Sequence, residues 1–278
     1  MGASWARARN WPKGARCVVA VTVHMDGPAV EIGKGLTPLG INARGRYAVR
    51  RGVPRYLDML ARHGVPATFF MCGWDAERYP QIMRDVHRAG HEIAAHGYVH
   101  EGFELGEEEP ARLEKTHRIL SDLLGVAPVG WCSPSGRKSR LTIPTLRRLG
   151  YRYDASEKDD DLPYLLKEGG ETRRDFVVLP NNTTALDDFP FYHDGQATAA
   201  EVEANFIAEL EAIHAGDGYV HLTVHPRGGP CSGTPARAAV VDRFIAAAKA
   251  LPGVAFVPLA ELAQHCLAHP ADWAEPRR

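Results

Sequence analysis

No C-x-x-C pair occurs in the 278 residues, and the five cysteines (Cys17, Cys72, Cys132, Cys231, Cys266) are widely spaced and odd in number. This excludes a thiolate-clustered structural metal site and a disulfide-stapled scaffold, and it suits a reducing compartment. Excess charge is also missing. Thirty-three basic residues meet 34 acidic ones for a net charge of -1, so there is no electrostatic footprint for nucleic acid or an acidic membrane. No apolar run is long enough to span a bilayer, and the opening "MGASWARARNWPKGAR" holds no apolar core of signal-peptide length. A cytoplasmic protein with no nucleic-acid partner and no membrane partner is expected. Neither a low-complexity linker nor an internal repeat divides the chain, so one domain over 1–278, with its core at about 15–268, is expected.

What is present is ordinary for a globular protein: 45% hydrophobic and 24% charged residues. Strand-like apolar stretches fall at 17–24, 67–71, 92–95, 130–133, 151–155, 176–180, 219–225 and 254–258. Helical patterns lie between them at about 50–63, 76–89, 107–124, 141–149, 199–215, 235–250 and 259–268. Several of these helices end in "LARHG", "VHRAG", "LRRLG" or "IHAGDG", with a basic residue in the last turn and Gly beyond it, the usual stop signal. Repeated strand–helix alternation implies a parallel sheet with helical crossovers. Seven or eight such units favour a closed or nearly closed barrel. The stretches 27–47 and 181–197 escape the pattern and read as long loops of the kind that cover sites.

In a parallel α/β barrel, chemistry gathers at the C-terminal ends of the strands. The first strand ends in "VTVHMDGP", with His24 and Asp26 two apart on one face. The third runs into "HGYVHE", supplying His96 and His100, and the seventh ends at His225 in "VHPRG". Two imidazoles and a carboxylate form an ordinary divalent-metal set with positions left open for water and substrate. A turn at Gly97 would bring both ring nitrogens to one ion. His225 is placed to act as a general acid or base. Backbone N–H groups of the "WCSPSG" turn, at Ser135 for instance, are candidate oxyanion donors. His63, His87, His91, His117, His214 and His265 read as surface or capping residues. His221 belongs deeper in the core, and Cys132 reads as an inert buried thiol.

These blocks resemble the polysaccharide deacetylase superfamily (carbohydrate esterase family four, the NodB-homology family). More narrowly they resemble its intracellular branch of allantoinase-like, cyclic-imidase-like and peptidoglycan-deacetylase-like proteins. The resemblance is carried by "WPKGARCVVAVTV", "VPRYLDMLARHGVPATFFMCG", "GHEIAAHGYVHE", "SPSGRKSRLTIPTLRRLGYRYDAS", "DDDLPY", "VLPNNTTALDDFPFY" and "HPRGGPCSGTPAR". It implies a distorted (β/α) barrel of seven or eight strands. It implies Asp26, His96 and His100 as ligands of a divalent ion, zinc foremost, with His225 as the acid and the Ser135 backbone as oxyanion donor. Asp161, Asp187 and Asp188 would organise the pocket, with Trp131, Phe189 and Tyr192 as its walls. Homo-oligomers are common in the branch and are expected here.

Two positions depart from the family pattern. His24 stands where an acidic base is usual, and Cys132 stands where an arginine commonly orients that base. The changes belong together, because a cation placed to hold a carboxylate would repel a protonatable imidazole. His24 is then the base, a third imidazole ligand, or the mark of a silent site. The resemblance implies a metal-dependent hydrolase of a C–N amide bond, an N-deacetylase or amidohydrolase, acting on a small soluble N-acyl compound or amino sugar. The alternatives are an allantoinase-like amidase that opens cyclic imides or ureides without metal, and a catalytically silent metabolite-binding relative.

Overall fold

Strand β1 (Cys17–His24) is buried along its whole length, as its unbroken apolar run requires of a strand covered on both faces. It is the penultimate strand of a sheet formed with β2 (Thr68–Met71), β3 (Glu92–Ala95), β4 (Gly130–Trp131), β5 (Tyr153–Asp154), β6 (Tyr164–Glu168), β7 (Glu171–Val178) and β8 (Tyr219–Val224). The order across the sheet is β6-β7-β5-β4-β3-β2-β1-β8, and β9 (Val254–Phe256) pairs with the first half of β1. Every pairing is parallel except that of β6 with β7. The computed structural model describes residues 10–102, 105–181 and 183–273. The first nine residues, part of the opening stretch read above for a signal peptide, lie outside the described residues. Among the described residues no helix is long and apolar enough to cross a membrane.

The expected (β/α) barrel forms, curled and open at one seam. All eight expected strand positions coincide with observed strands. β6 is additional: with β7 it makes an antiparallel hairpin whose turn, Gly169-Gly170, has φ of +60° and +84°. Two left-handed residues in succession make a two-residue hairpin turn that matches strand twist, and glycine adopts them without steric cost. The long helices keep their expected places at Val53–His63, Glu109–Leu124, Ala199–Ala215, Pro235–Ala250 and Leu259–Ala268. The pattern at 76–89 splits into Gly73–Arg78 and Pro80–Arg88, because the residue before a proline is driven out of helical geometry. The loop over 27–47 contains short helical turns at Ala29–Gly33, Gly40–Asn42 and Arg44–Tyr47.

Strand alternation sorts the core into two layers. Val19, Val21, Val23, Phe69, Met71, Ile93 and Val220 pack outward against helix residues such as Tyr56, Leu60, Val86, Leu120, Phe206 and Phe244. Val18, Ala20, Phe70, Ala94, Tyr153, Val177 and Tyr219 point inward. Trp11, Trp273, Leu262 and Cys266 join this inner set and close the barrel floor. Beside them the amides of Leu259 and Ala260 donate to Thr68 Oγ1 and Glu92. The seam between β7 and β8 is spanned by a bridge of Asp187 to Thr223 and by the contact of His221 Nδ1 with the Pro180 carbonyl at 3.0 Å.

Candidate active site

Inward-facing positions of neighbouring parallel strands meet at the top of the barrel because their registers are nearly level. His24 lies beside Phe70, Phe70 beside Ala94, and Ala95 beside Trp131. One residue further on, the His96 and Cys132 amides still donate to the Met71 and Ala95 carbonyls at 2.9 and 3.1 Å. His24, His96, Cys132 and His225 therefore share one end of the interior, and all four are buried.

Past β1 the chain reverses at Asp26, whose φ of +42° is unusual for a side chain with a Cβ. Arg227 holds it there. Its buried guanidinium donates to the Asp26 carbonyl and, at 3.1 Å, to the Gly27 carbonyl, and pairs with buried Glu31. Asp75 accepts from the Ala29 amide at 3.0 Å, and its carboxyl lies 2.6 Å from where a Cβ on Gly27 would stand, so only glycine fits. Burial pushes Asp75 up to about 7.

Asp26 faces both histidines of the H-x-x-x-H pair. Its Oδ1 is 3.5 Å from His96 Nε2 and its Oδ2 is 3.4 Å from His100 Nε2. Two donors each about 2.1 Å from one tetrahedral ion lie about 3.4 Å apart, so the spacing fits a shared cation. Among the described residues, buried Asp26 Oδ1 has no hydrogen-bond partner, another mark of a cation position. His96 Nδ1 lies 2.7 Å from the Cys132 carbonyl and donates to it, leaving the Nε2 lone pair for a metal, the arrangement typical of ligating histidine. Gly97 and His100 both have positive φ, +67° and +54°. The Glu101 carboxylate ties this turn by accepting from the Tyr98 and Val99 amides at 3.0 and 3.2 Å. Burial opposes ionisation of Asp26, but His100, His225 and His96 outweigh it and hold the carboxyl far below the usual range. Burial, partly offset by Asp26, lowers His96 to about 4.

Across Asp26 stands His225, its Nε2 3.8 Å from Asp26 Oδ2. Its Nδ1 is 2.5 Å from Asp188 Oδ1, while Asp188 Oδ2 accepts from the His225 and Ser232 amides at 3.0 and 2.7 Å. Asp187 lies 3.7 Å from the same Nδ1. Burial disfavours the imidazolium, yet Asp188, Asp187 and Asp26 together raise His225 to about 10. Two of the three aspartates expected to organise the pocket, Asp187 and Asp188, thus hold His225, Asp188 most closely. Phe189, partly exposed, places its ring 5.9 Å from that of His225.

His24 contacts the rings of Phe70, His96 and His225 at 4.8, 4.8 and 5.2 Å. Burial and the neighbouring imidazoles push its pKa well below 6.5, so it is neutral near pH 7. Trp131 is buried and lines a small cavity with Gly97, Ser133 and Pro134. Ser135 occupies an exposed turn with φ of +57° and faces Gly102 of the His100 loop. Asp161 stands apart, in an exposed position on a groove of about 770 Å³ with Lys158, Asn181, Glu209 and Tyr219. Tyr192 is buried in the outer core beneath the Arg237 guanidinium, 4.1 Å from its ring centroid. Among the described residues neither Asp161 nor Tyr192 has a hydrogen bond or ion pair with the histidine cluster.

The sequence reading missed Arg227, Glu31, Asp75 and Glu101. Their signal was faint: an arginine beside His225-Pro226, and acids inside apolar stretches. His91 and His214, read as surface or capping residues, are buried and bonded to backbone: His91 Nδ1 accepts from the Ala67 amide and His214 Nε2 donates to the Pro252 carbonyl.

Residues 45–153 match the family model for polysaccharide deacetylase. A peptidoglycan deacetylase of Helicobacter pylori is 35% identical over 130 residues, 46% of this chain and 44% of that protein, so the match spans less than half of the relative. A crystal structure of an allantoinase superposes with a TM-score of 0.80 at 26% identity, covering 93% of this chain and 92% of that one. A protein of Mycobacterium smegmatis classed with the polysaccharide deacetylases superposes with a TM-score of 0.85 at 34% identity, covering 98% of this chain and 96% of that one. With that identity sustained over nearly the whole of both chains, and with the strand-end cluster just described, this chain belongs to the polysaccharide deacetylase family.

Proposed function

We propose that the protein is a metal-dependent hydrolase of a C–N amide bond that acts on a small soluble N-acyl compound or amino sugar. The observation that carries this reading is the convergence of Asp26, His96 and His100 directly opposite the Asp188-held His225. A divalent ion held by the three, zinc in our reading, would supply the Lewis acidity that polarises an amide carbonyl and makes water nucleophilic near neutral pH. The protein groups do the rest. Asp188 retains the proton on His225 Nδ1, so Nε2–H points at the site and passes its proton to the leaving nitrogen as the C–N bond breaks. His24, neutral and with Nε2 unpartnered, accepts the proton released by the attacking water. The Ser135 amide steadies the carbonyl oxygen, and Trp131 and Phe189 bound the pocket.

A second reading, ring opening of a cyclic imide or ureide, is favoured by the likeness to the allantoinase structure over more than nine-tenths of both chains and by His24 and Cys132. Metal analysis of the purified protein, with turnover of a panel of N-acetyl sugars, linear N-acyl amines, cyclic imides and ureides followed by product mass, tests both. One ion per chain and hydrolysis of linear amides, both lost in His96→Ala, is the expected result. Full activity without metal would overturn the metal-dependent reading, and turnover confined to cyclic substrates would establish the second.

A further inference from the structure

The two departures from the family pattern, His24 and Cys132, meet in space. One donor atom from each of His24, His96 and Cys132 lies within 4.8 Å of the other two, and all three residues are buried. The His24 and His96 rings stand edge to face with centroids 4.8 Å apart. Among the described residues, buried His24 Nε2 has no hydrogen-bond partner. The Cys132 thiol lies 3.4 Å from the Ala155 carbonyl and 3.9 Å from that of Ser133, both weak sulfur contacts. An unpaired buried nitrogen costs free energy, and a cation bound by imidazole and thiolate would relieve it.

We propose that His24, Cys132 and His96 form a second metal position, selective for soft thiophilic ions of the Cd²⁺ class, beside the Asp26–His96–His100 set. Nitrogen and sulfur donors suit these ions, whereas Mn²⁺ and Mg²⁺ prefer the carboxylate-bearing set. A cysteine ligates as the thiolate, so the buried thiol gives up its proton as the cation arrives. Binding therefore exchanges one proton for the ion: the S–H bond breaks, an S–metal bond forms, and the proton leaves to solvent. His96 belongs to both sets. Its Nδ1 is committed to the Cys132 carbonyl and only Nε2 is open, so the two positions fill alternatively. Cd²⁺ held there would also occupy the imidazole assigned above as base, making it an inhibitor as well as a ligand.

The test is a Cd²⁺ titration of chelator-stripped, full-length protein. The thiolate-to-metal charge-transfer absorption should rise to saturation at one ion per chain, with one proton released per ion in weakly buffered solution. Cys132→Ser should abolish the absorption while Mn²⁺ binding, read by electron paramagnetic resonance, persists. Asp26→Asn should do the reverse. His24→Gln, which leaves the thiol in place, should weaken Cd²⁺ binding at least about tenfold, and it decides the matter if Cys132→Ser does not fold. Absence of the absorption at stoichiometric Cd²⁺, its persistence in Cys132→Ser, or unchanged affinity in His24→Gln would each overturn the proposal. The readout is a spectrum and not turnover, so it succeeds or fails independently of the hydrolase reading.

Discussion

Arg227→Met should both destabilise the protein and loosen its metal set, and the two effects are separable. The guanidinium and Glu31 are 8% and 5% exposed, and the same guanidinium donates to the carbonyls of Asp26 and Gly27. Removing one partner of a buried ion pair costs about 3–5 kcal/mol, because the survivor is left charged and dry. Against a total stability of about 5–15 kcal/mol that is a large share, visible as a lowered midpoint in urea. Asp26 also keeps its positive φ only while its carbonyl is held, so Zn²⁺ affinity measured by calorimetry should fall about 10–100-fold, as for other groups that orient metal ligands. Arg227→Met combined with Glu31→Leu should regain most of the stability, since an apolar pair can replace a buried ion pair at little cost. It should not regain the affinity, because neither residue donates to Asp26. A loss below about 1 kcal/mol in the single variant, or joint recovery of stability and affinity in the double, would refute the reasoning.

Three further outcomes are expected. His221, lowered to about 3 by burial with Lys158 and Tyr219 near it, is neutral when folded but takes a proton at about pH 6.5 when unfolded. Its contribution is therefore complete above that pH and is lost by up to about 1.4 kcal/mol per unit as pH falls from 6.5 towards 3; urea midpoints of His221→Gln should fall less steeply over this window, and an equal slope would contradict the assignment. Gly52→Ala would put a Cβ 1.8 Å from the Pro226 carbonyl, so a loss of at least about 1–3 kcal/mol should appear in thermal unfolding, with His225 displaced. Thr198→Ala removes one half of the capping box that opens Ala199–Ala215 and should cost about 1 kcal/mol, read by chemical denaturation; a neutral result would mean the helix start is held by packing alone.

Much of this was legible in one dimension. Local chemistry decides a largely apolar strand such as Cys17–His24, a helix bounded by Thr198 and Gly216, and an H-x-x-x-H pair broken by Gly97, because strand period, helix caps and turn residues act within a few positions of one another. These features also marked His24, Asp26, His96, His100 and His225 as strand-end groups. The β6–β7 hairpin was open to the same reasoning through Gly169-Gly170, but the charged "ETRRD" hid its strand.

What the chain order could not decide is who faces whom. That Asp188 bonds His225 directly while Asp187 sits further off, that Tyr192 turns into the outer core, and that Asp161 stands on another groove depend on how the β7–β8 seam closes. Arg227 reaches Asp26 only because β8 is the parallel neighbour of β1. His24 and Cys132 come together only because level registers stack β1, β2, β3 and β4 and alternation turns both side chains inward. The sequence by itself determined which residues end the strands and what chemistry they carry; the curled, largely parallel sheet decided which of those ends meet, because strand order and register are set by long-range pairing that no local pattern encodes.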